Sequence, residues 1–223
     1  NMLQQGVTTE IFNADGGGAI DVAAQLQRVS QPGLAVNIGG FIGFNVIWSN
    51  VVGNVDRRPT PEEIERMRGM IAAGLEQGAW GVSAGLDYKP GYFAKTEEVV
   101  RIVDVAKDAR TIFTNHDRIT PESNFSSKTG MDETMAIGEK AGLVPVFTHM
   151  KVQGREQGSA PVILASMSQA TKRGRYTAAD AYPYLAGQSG LGSLIIPGWA
   201  QEGGRPEMLK RFADPALRAR IVK

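Results

Sequence analysis

The chain has 223 residues, of which 24 are Lys or Arg and 23 are Asp or Glu, giving a formal net charge of +1 at pH 7. This balance provides no basic field for nucleic acid, and the apolar stretches are far shorter than the roughly 20 residues that cross a bilayer, so we expect neither a nucleic-acid nor a membrane partner. The absence of cysteine excludes disulfides and thiolate chemistry. A hydrophobic fraction of 42% is enough for one substantial core.

The first residues lead to two expectations. Residues 1–5 contain no basic region followed by an apolar core, so no signal peptide is predicted and we expect a cytoplasmic protein. The sequence starts without an initiator methionine, and a strand-like run follows almost at once. We therefore expect that further sequence precedes it.

Strand-like and helix-like segments alternate along the chain. Strands are predicted at six apolar or β-branched runs, residues 7–12, 34–38, 79–83, 111–116, 143–149 and 176–180. Most of these runs are continuous rather than alternating, which is typical of parallel strands buried on both faces. Capping residues and glycine stops predict helices at residues 60–78, from residue 96 onward, at 131–140 and at 161–173.

This alternation indicates an α/β fold built from βα units. Six units are two short of a closed (β/α)8 barrel of the TIM type, which takes about 250 residues. We therefore predict an incomplete barrel. An open, doubly wound sheet of six strands is the alternative, and the pattern of strands and helices does not decide between the two.

The chain contains two histidines, and each ends a strand-like run. His116 and His149 are separated by one helix-length segment. In a barrel the C-terminal ends of successive strands reach one face, and adjacent strands lie about 4.8 Å apart. Both side chains could therefore bind one ion at about 2.0–2.1 Å, or one each of a metal pair, and Asp15 after the first run would lie on the same face. The alternative is that both histidines are ordinary polar strand ends.

Five segments in order resemble the N-acyl-D-amino-acid deacylase (D-aminoacylase) family of the amidohydrolase superfamily. They are residues 6–11, 78–88, 116–118, 148–151 and 180–184. The resemblance implies a barrel with a His-x-His pair on the first strand, a bridging ligand after the second, single histidines ending the fifth and sixth, and a catalytic aspartate ending the eighth. If residues 7–12 form the second strand, His116 and His149 match the fifth and sixth, and Asp15 matches the bridging position.

The chain departs from this family pattern at two points. It has no His-x-His pair, and no strand-like run after residues 176–180 supplies the final aspartate, since Asp214 is expected to cap a helix. We therefore predict that residues 1–223 form a partial metal-dependent amidohydrolase barrel that spans strands two to seven. Whether such a chain is active by itself is left open.

The resemblance also implies an activity and a set of site residues. The activity is hydrolysis of the amide bond of N-acyl-D-amino acids, small-molecule substrates, by hydroxide activated on one or two zinc ions. Lys151 would neutralise the substrate α-carboxylate, and Tyr182 or Tyr184 would donate a hydrogen bond to the developing oxyanion. Arg118 and Ser189 would contact the substrate.

Each of these site residues has a simpler alternative. Lys151 could be a solvated loop residue, and one of the two tyrosines could be a packing residue. Arg118 could pair with Asp117 or Glu122 instead of substrate.

Other functions also remain open at this stage. A cyclic-amide amidohydrolase such as a dihydroorotase or hydantoinase would share the barrel and the metal chemistry. An inactive barrel that only binds a partner is a further possibility. Residues 81–85 match the Gly-x-Ser-x-Gly elbow of serine hydrolases, but Lys-Pro-Gly follows at 89–91 where that motif requires a helix. The sequence does not define the acyl group, the preferred amino acid or the oligomeric state.

Overall fold

The computed structural model describes residues 2–119 and 124–222, and within them seven strands form two parallel sheets. In chain order the strands are β1 (Thr9–Phe12), β2 (Asn37–Gly40), β3 (Ile42–Gly43), β4 (Gly81–Gly85), β5 (Ile112–His116), β6 (Val144–Phe147) and β7 (Ala178–Ala179). β1 pairs with β2, and the second sheet has the order β3-β4-β5-β6-β7. Because only Phe41 separates β2 from β3, and its amide bonds to Phe12 O at 3.1 Å, the two sheets continue one another.

The strands therefore follow one another in space in the order of the chain. A doubly wound sheet requires a reversal of strand order, and the described residues contain none. The predicted α/β class with a parallel sheet is confirmed, and the sequential order favours the barrel type over the open sheet. The strand predicted at residues 34–38 lies later in the chain, because the residues that pair with β1 are Asn37–Gly40.

Helices follow most of the strands. They are α1 (Val22–Ser30), α2 (Phe44–Val51), α3 (Pro61–Glu76), α4 (Thr96–Val103), α5 (Ser127–Ala141), α6 (Ala160–Lys172), α7 (Leu191–Ile195), α8 (Gly198–Gln201), α9 (Gly204–Ala213) and α10 (Pro215–Ile221). α3 begins as predicted, with Thr60 and Glu63 forming a reciprocal capping box. α5 begins four residues earlier than predicted because Ser126 caps the amide of Thr129. No helix of the described residues combines the length and apolar character that crossing a bilayer requires.

The main core lies between the sheet and helices α2, α3 and α4. Val82 and Phe113, which are in register on β4 and β5, are fully buried in it. The next residues along the two strands, Ser83 and Thr114, are also in register but are polar and hydrogen-bonded. One face of the sheet is thus apolar and covered by helices, whereas the other carries polar groups toward the loops at the C-terminal edge.

Candidate metal centre

Three predicted ligands meet at the C-terminal edge of the parallel strands. Asp15 lies in the loop after β1, His116 is the last residue of β5, and His149 follows β6. Potential ligand atoms of the three all lie within 4.8 Å of one another. His149 Nε2 is 2.7 Å from His116 Nδ1, and the Asp15 carboxylate oxygens are 3.7 Å from His116 Nδ1 and 4.0 Å from His149 Nε2. Parallel pairing brings these residues together because it places every strand end at one edge.

The chemistry of this cluster fits a cation. Asp15 Oδ1 is buried and has no hydrogen-bond partner among the described residues. Burying an unpaired carboxylate oxygen costs free energy, which a bound cation would offset. Burial opposes ionisation of Asp15, but the interaction with His116 and the charges of His149 and Lys151 outweigh it and lower the pKa of the carboxyl. Two imidazoles and a carboxylate are donors that zinc accepts.

His149 occupies an unusual backbone conformation that its neighbours stabilise. Its φ is +42°, in the left-handed region that few non-glycine residues adopt. Its amide donates to Asp180 Oδ1 at 2.5 Å, and Lys151 Nζ lies 3.0 Å from its Nδ1. Burial, followed by the charges of His116 and Lys151, lowers the pKa of His149, while Asp15 partly opposes this shift. The lowered pKa favours the uncharged ring, which metal ligation requires.

A cavity of about 730 Å³ opens beside the three candidate ligands. Lys151, Tyr182 and Ser189, which were predicted to act on substrate, border it together with the metal cluster. Lys151 Nζ lies 5.2 Å from the centre of the Tyr182 ring. The cavity thus combines two cationic side chains, Lys151 and Arg155, with hydroxyl groups beside the candidate metal centre.

Tyr184 does not border this cavity. Its side chain is 73% exposed, and its ring stacks on that of Tyr182 with centroids 6.3 Å apart. Of the two tyrosines that the sequence suggested, only Tyr182 therefore lies next to the metal cluster.

Arg118 is also not brought to the cavity. Its guanidinium donates to Glu133 of α5 at 3.0 Å and to the carbonyl oxygens of Tyr92 and Ala94. These contacts fix the loop between β4 and α4 against α5. Arg118 therefore has a structural role, and its contact with substrate stays a prediction.

Of the two alternative partners suggested for Arg118, Asp117 does not pair with it among the described residues. Asp117 is buried and accepts a hydrogen bond from Thr134 Oγ1 at 2.7 Å. Glu122 lies outside the described residues.

Two residues without a predicted role reach the same centre from the loop after β4. The Tyr88 hydroxyl is 3.0 Å from His116 Nδ1, and Asp87 Oδ2 is 3.9 Å from His116 Nε2. Burial, assisted by the negative charge of Asp15, raises the pKa of Tyr88 to about 12, so its hydroxyl keeps its proton. The sequence feature that could have indicated both residues is their position shortly after a predicted strand, at the same edge of the sheet as the histidines.

The Gly-x-Ser-x-Gly segment does not form a nucleophile elbow. Ser83 lies within β4, is fully buried and uses its hydroxyl in hydrogen bonds to the loop after β1. β4 is followed by a loop and the 3-10 helix Gly91–Phe93, whereas an elbow leads directly into an α-helix.

Comparison with known proteins points to one family. No family model matches the chain. D-aminoacylase of Alcaligenes xylosoxydans xylosoxydans is 30% identical over 162 residues, which is 70% of this chain and 32% of that protein. The chain thus spans about a third of the length of the curated relatives it matches.

Two solved structures share its architecture. A D-aminoacylase that defines a novel subset of amidohydrolases superposes with a TM-score of 0.73 and 24% identity, covering 83% of this chain and 43% of that one. N-acyl-D-glutamate deacylase from Bordetella bronchiseptica, complexed with zinc and a phosphonate inhibitor, has a TM-score of 0.73 and 26% identity, covering 82% and 43%. The resemblance of the five segments is confirmed: the chain belongs to the D-aminoacylase and N-acyl-D-amino-acid deacylase family.

Proposed function

We propose that this chain forms part of the active site of a zinc-dependent enzyme that hydrolyses the amide bond of N-acyl-D-amino acids. The observation that carries the proposal is the convergence of Asp15, His116 and His149, where one buried oxygen of Asp15 has no hydrogen-bond partner in the part of the chain that the structure describes. A relative solved with zinc and curated relatives that are D-amino-acid deacylases support the choice of metal and substrate class. We also propose that residues 1–223 form one partial barrel of strands two to seven.

Three protein ligands suit a catalytic site. Catalytic zinc sites keep three ligands from the protein and leave a further position open, whereas structural sites are closed by four. Asp15, His116 and His149 would hold one such ion. When bound, zinc supplies a water whose pKa is lowered to about 7 and polarises the acyl carbonyl.

The residues around the cavity would bind and orient the substrate. Lys151, which borders the cavity together with Tyr182 and Ser189, would provide a positive charge for the α-carboxylate. Tyr182 would donate its hydroxyl proton in a hydrogen bond to the oxygen on which charge develops. Tyr88 keeps its proton and, with its hydroxyl 3.0 Å from His116, provides a second donor close to the reacting carbonyl.

Zinc binding to the tag-free chain tests the metal centre. Because the chain has two histidines, each imidazole signal in a nitrogen-15 NMR spectrum reports directly on one candidate ligand. We expect zinc chloride to shift both signals, and His149→Ala and Asp15→Asn to lower the zinc bound at equilibrium. Asp132→Asn, which removes a carboxylate on the surface of α5, is the control and should bind like the wild type. An unchanged zinc content in His149→Ala would exclude it as a ligand.

A hydrolysis screen with the zinc-loaded chain tests the substrate class. N-acyl-D-amino acids, their L enantiomers and a hydantoin are compared, and we expect turnover with the D series only. Because the chain lacks the His-x-His pair and the final aspartate of the family pattern, the rate should be far below that of a complete site. Turnover of the hydantoin alone would identify a cyclic-amide amidohydrolase. Zinc binding without turnover of any compound would support the alternative of a binding protein, or a site that needs additional residues.

A further inference from the structure

The loop that carries Asp15 is attached to β4 through the buried hydroxyl of Ser83. Ser83 Oγ donates to the carbonyl oxygen of Asn13 at 2.6 Å and accepts from the amide of Gly16 at 3.2 Å. Its side chain is fully buried. One hydroxyl thus uses both its donor and its acceptor capacity on the two sides of Asp15.

The backbone of this loop is irregular. Asn13 and Asp15 have φ values of +64° and +59°, in the left-handed region that asparagine and aspartate adopt more readily than other non-glycine residues. Within the turn, the Gly17 amide donates to Ala14 O at 3.3 Å. The two hydrogen bonds of Ser83 tie this turn to β4.

The glycine that follows Ser83 in the motif contributes to the same contact. A Cβ on Gly85 would lie 2.5 Å from the carbonyl oxygen of Asp15, so only glycine lets the loop approach β4 this closely. The Gly-x-Ser-x-Gly segment thus combines close backbone approach with a buried hydroxyl at the position where the Asp15 loop meets the sheet.

We propose that Ser83 is a positioning residue for Asp15: its hydroxyl fixes the loop so that the carboxylate faces His116 and His149. The assignment rests on the proposed metal centre. It gives the serine of this motif a role in shaping a metal site, and no role as a nucleophile. Ser83 lies beyond the reach of substrate because its hydroxyl is enclosed by the loop it holds.

The test compares Ser83→Ala with Thr177→Val in the full chain. Thr177 is the matched control, since its buried hydroxyl has no partner among the described residues. In the metal-free chain, hydrogen exchange followed by NMR should show the Gly16 amide exchanging at least about tenfold faster in Ser83→Ala, because its acceptor is gone. Titration with zinc chloride should show a Kd raised by about 10- to 100-fold, the usual range for residues that support metal ligands. Thr177→Val should change neither quantity.

The two readouts separate this inference from the proposed function. If the wild type binds no zinc but Ser83→Ala still releases the Gly16 amide, the metal centre is wrong and the positioning of the loop stands. If the wild type binds zinc and Ser83→Ala binds it equally well, the positioning role is overturned. Covalent labelling of Ser83 by a fluorophosphonate would also overturn it. If Ser83→Ala does not fold, hydrogen exchange of the wild type is the test. A wild-type Gly16 amide that exchanges as fast as in an unstructured chain would show that its hydrogen bond to Ser83 is not formed, and would overturn the proposal.

Discussion

The backbone amide of His149 donates a hydrogen bond to the carboxylate of Asp180 at 2.5 Å. The next amide, that of Met150, donates to the carbonyl oxygen of Asp180 at 2.7 Å. The residue after β7 thus holds two consecutive amides of the loop after β6. Because His149 has a left-handed backbone, these bonds determine where its ring lies relative to His116.

We expect Asp180→Ala to raise the Kd for zinc by about tenfold, since residues that orient metal ligands typically contribute 10- to 100-fold in affinity. Asp180→Asn should have a smaller effect, because its amide oxygen still accepts from His149. Isothermal titration of the full chain with zinc chloride measures both values. Equal affinity in Asp180→Ala and the wild type would contradict the role of the carboxylate.

Zinc should stabilise the folded chain through the three candidate ligands. A ligand that binds only the folded state adds about 2.7 kcal/mol to the free energy of unfolding when its concentration is 100 times the Kd. We expect zinc to raise the Tm of the wild type, a chelator to reverse the increase, and Asp15→Asn to lose most of it. Thermal unfolding followed by circular dichroism measures the effect. The same increase in Asp15→Asn as in the surface variant Asp132→Asn would exclude Asp15 as a ligand.

The stability of the chain should depend on pH through Asp117. Burial raises the pKa of its carboxyl from 3.8 to about 7, although the hydrogen bond from Thr134 partly opposes this. In the unfolded chain the group ionises near pH 3.8, so the folded state holds an extra proton between the two values. The protonated Asp117 therefore contributes fully to the free energy of unfolding below about pH 4. This contribution is lost as pH rises to about 7, and it amounts to about 1.4 kcal/mol for each unit by which the folded pKa exceeds the unfolded one.

Asp117→Asn should remove this dependence. The amide keeps an oxygen that accepts from Thr134 Oγ1 but carries no charge at any pH. We expect the variant to gain stability relative to the wild type as pH rises from 5 to 8, measured by urea unfolding at both values. A difference between the two proteins that is independent of pH would show that the carboxyl titrates normally.

Replacing Arg118 should lower the stability of the fold more than it weakens ligand binding. Its guanidinium is largely buried and holds Glu133 and two carbonyl oxygens of the loop before α4. Removing one partner of a buried ion pair costs about 3–5 kcal/mol, and the ammonium of lysine cannot reproduce the planar fork of arginine.

We therefore expect Arg118→Met to lower the free energy of unfolding by about 3 kcal/mol, and Arg118→Lys to recover only part of it. The Kd for zinc should change little in the lysine variant. Urea unfolding and zinc titration of the two variants measure these effects. Normal stability combined with a loss of substrate binding would instead restore the role in substrate contact that the sequence suggested.

Several features of the fold could be read from the sequence because they depend on residues close together in the chain. Continuous apolar runs indicate buried parallel strands, and Thr60 with Glu63 defines the start of α3. The second strand is placed too early because the apolar residues near 34–38 indicate a strand, whereas glycine does not, and β2 continues through the glycines at 39 and 40. Those glycines pair with Ile11 and Phe12 of β1. They adopt strand conformation because β1 lies beside them, which the local sequence does not indicate.

The sequence by itself determined the α/β class, the parallel strands and the two histidines at strand ends, since these follow from hydrophobic periodicity and from position in the chain. It also indicated Asp15 as their companion. The tertiary structure decided which polar side chains face that centre: Tyr88 and Asp87 approach His116, Asp180 holds His149, and Arg118 is drawn away by Glu133. These choices depend on distances between loops that are remote in sequence, and packing of the sheet and helices sets those distances.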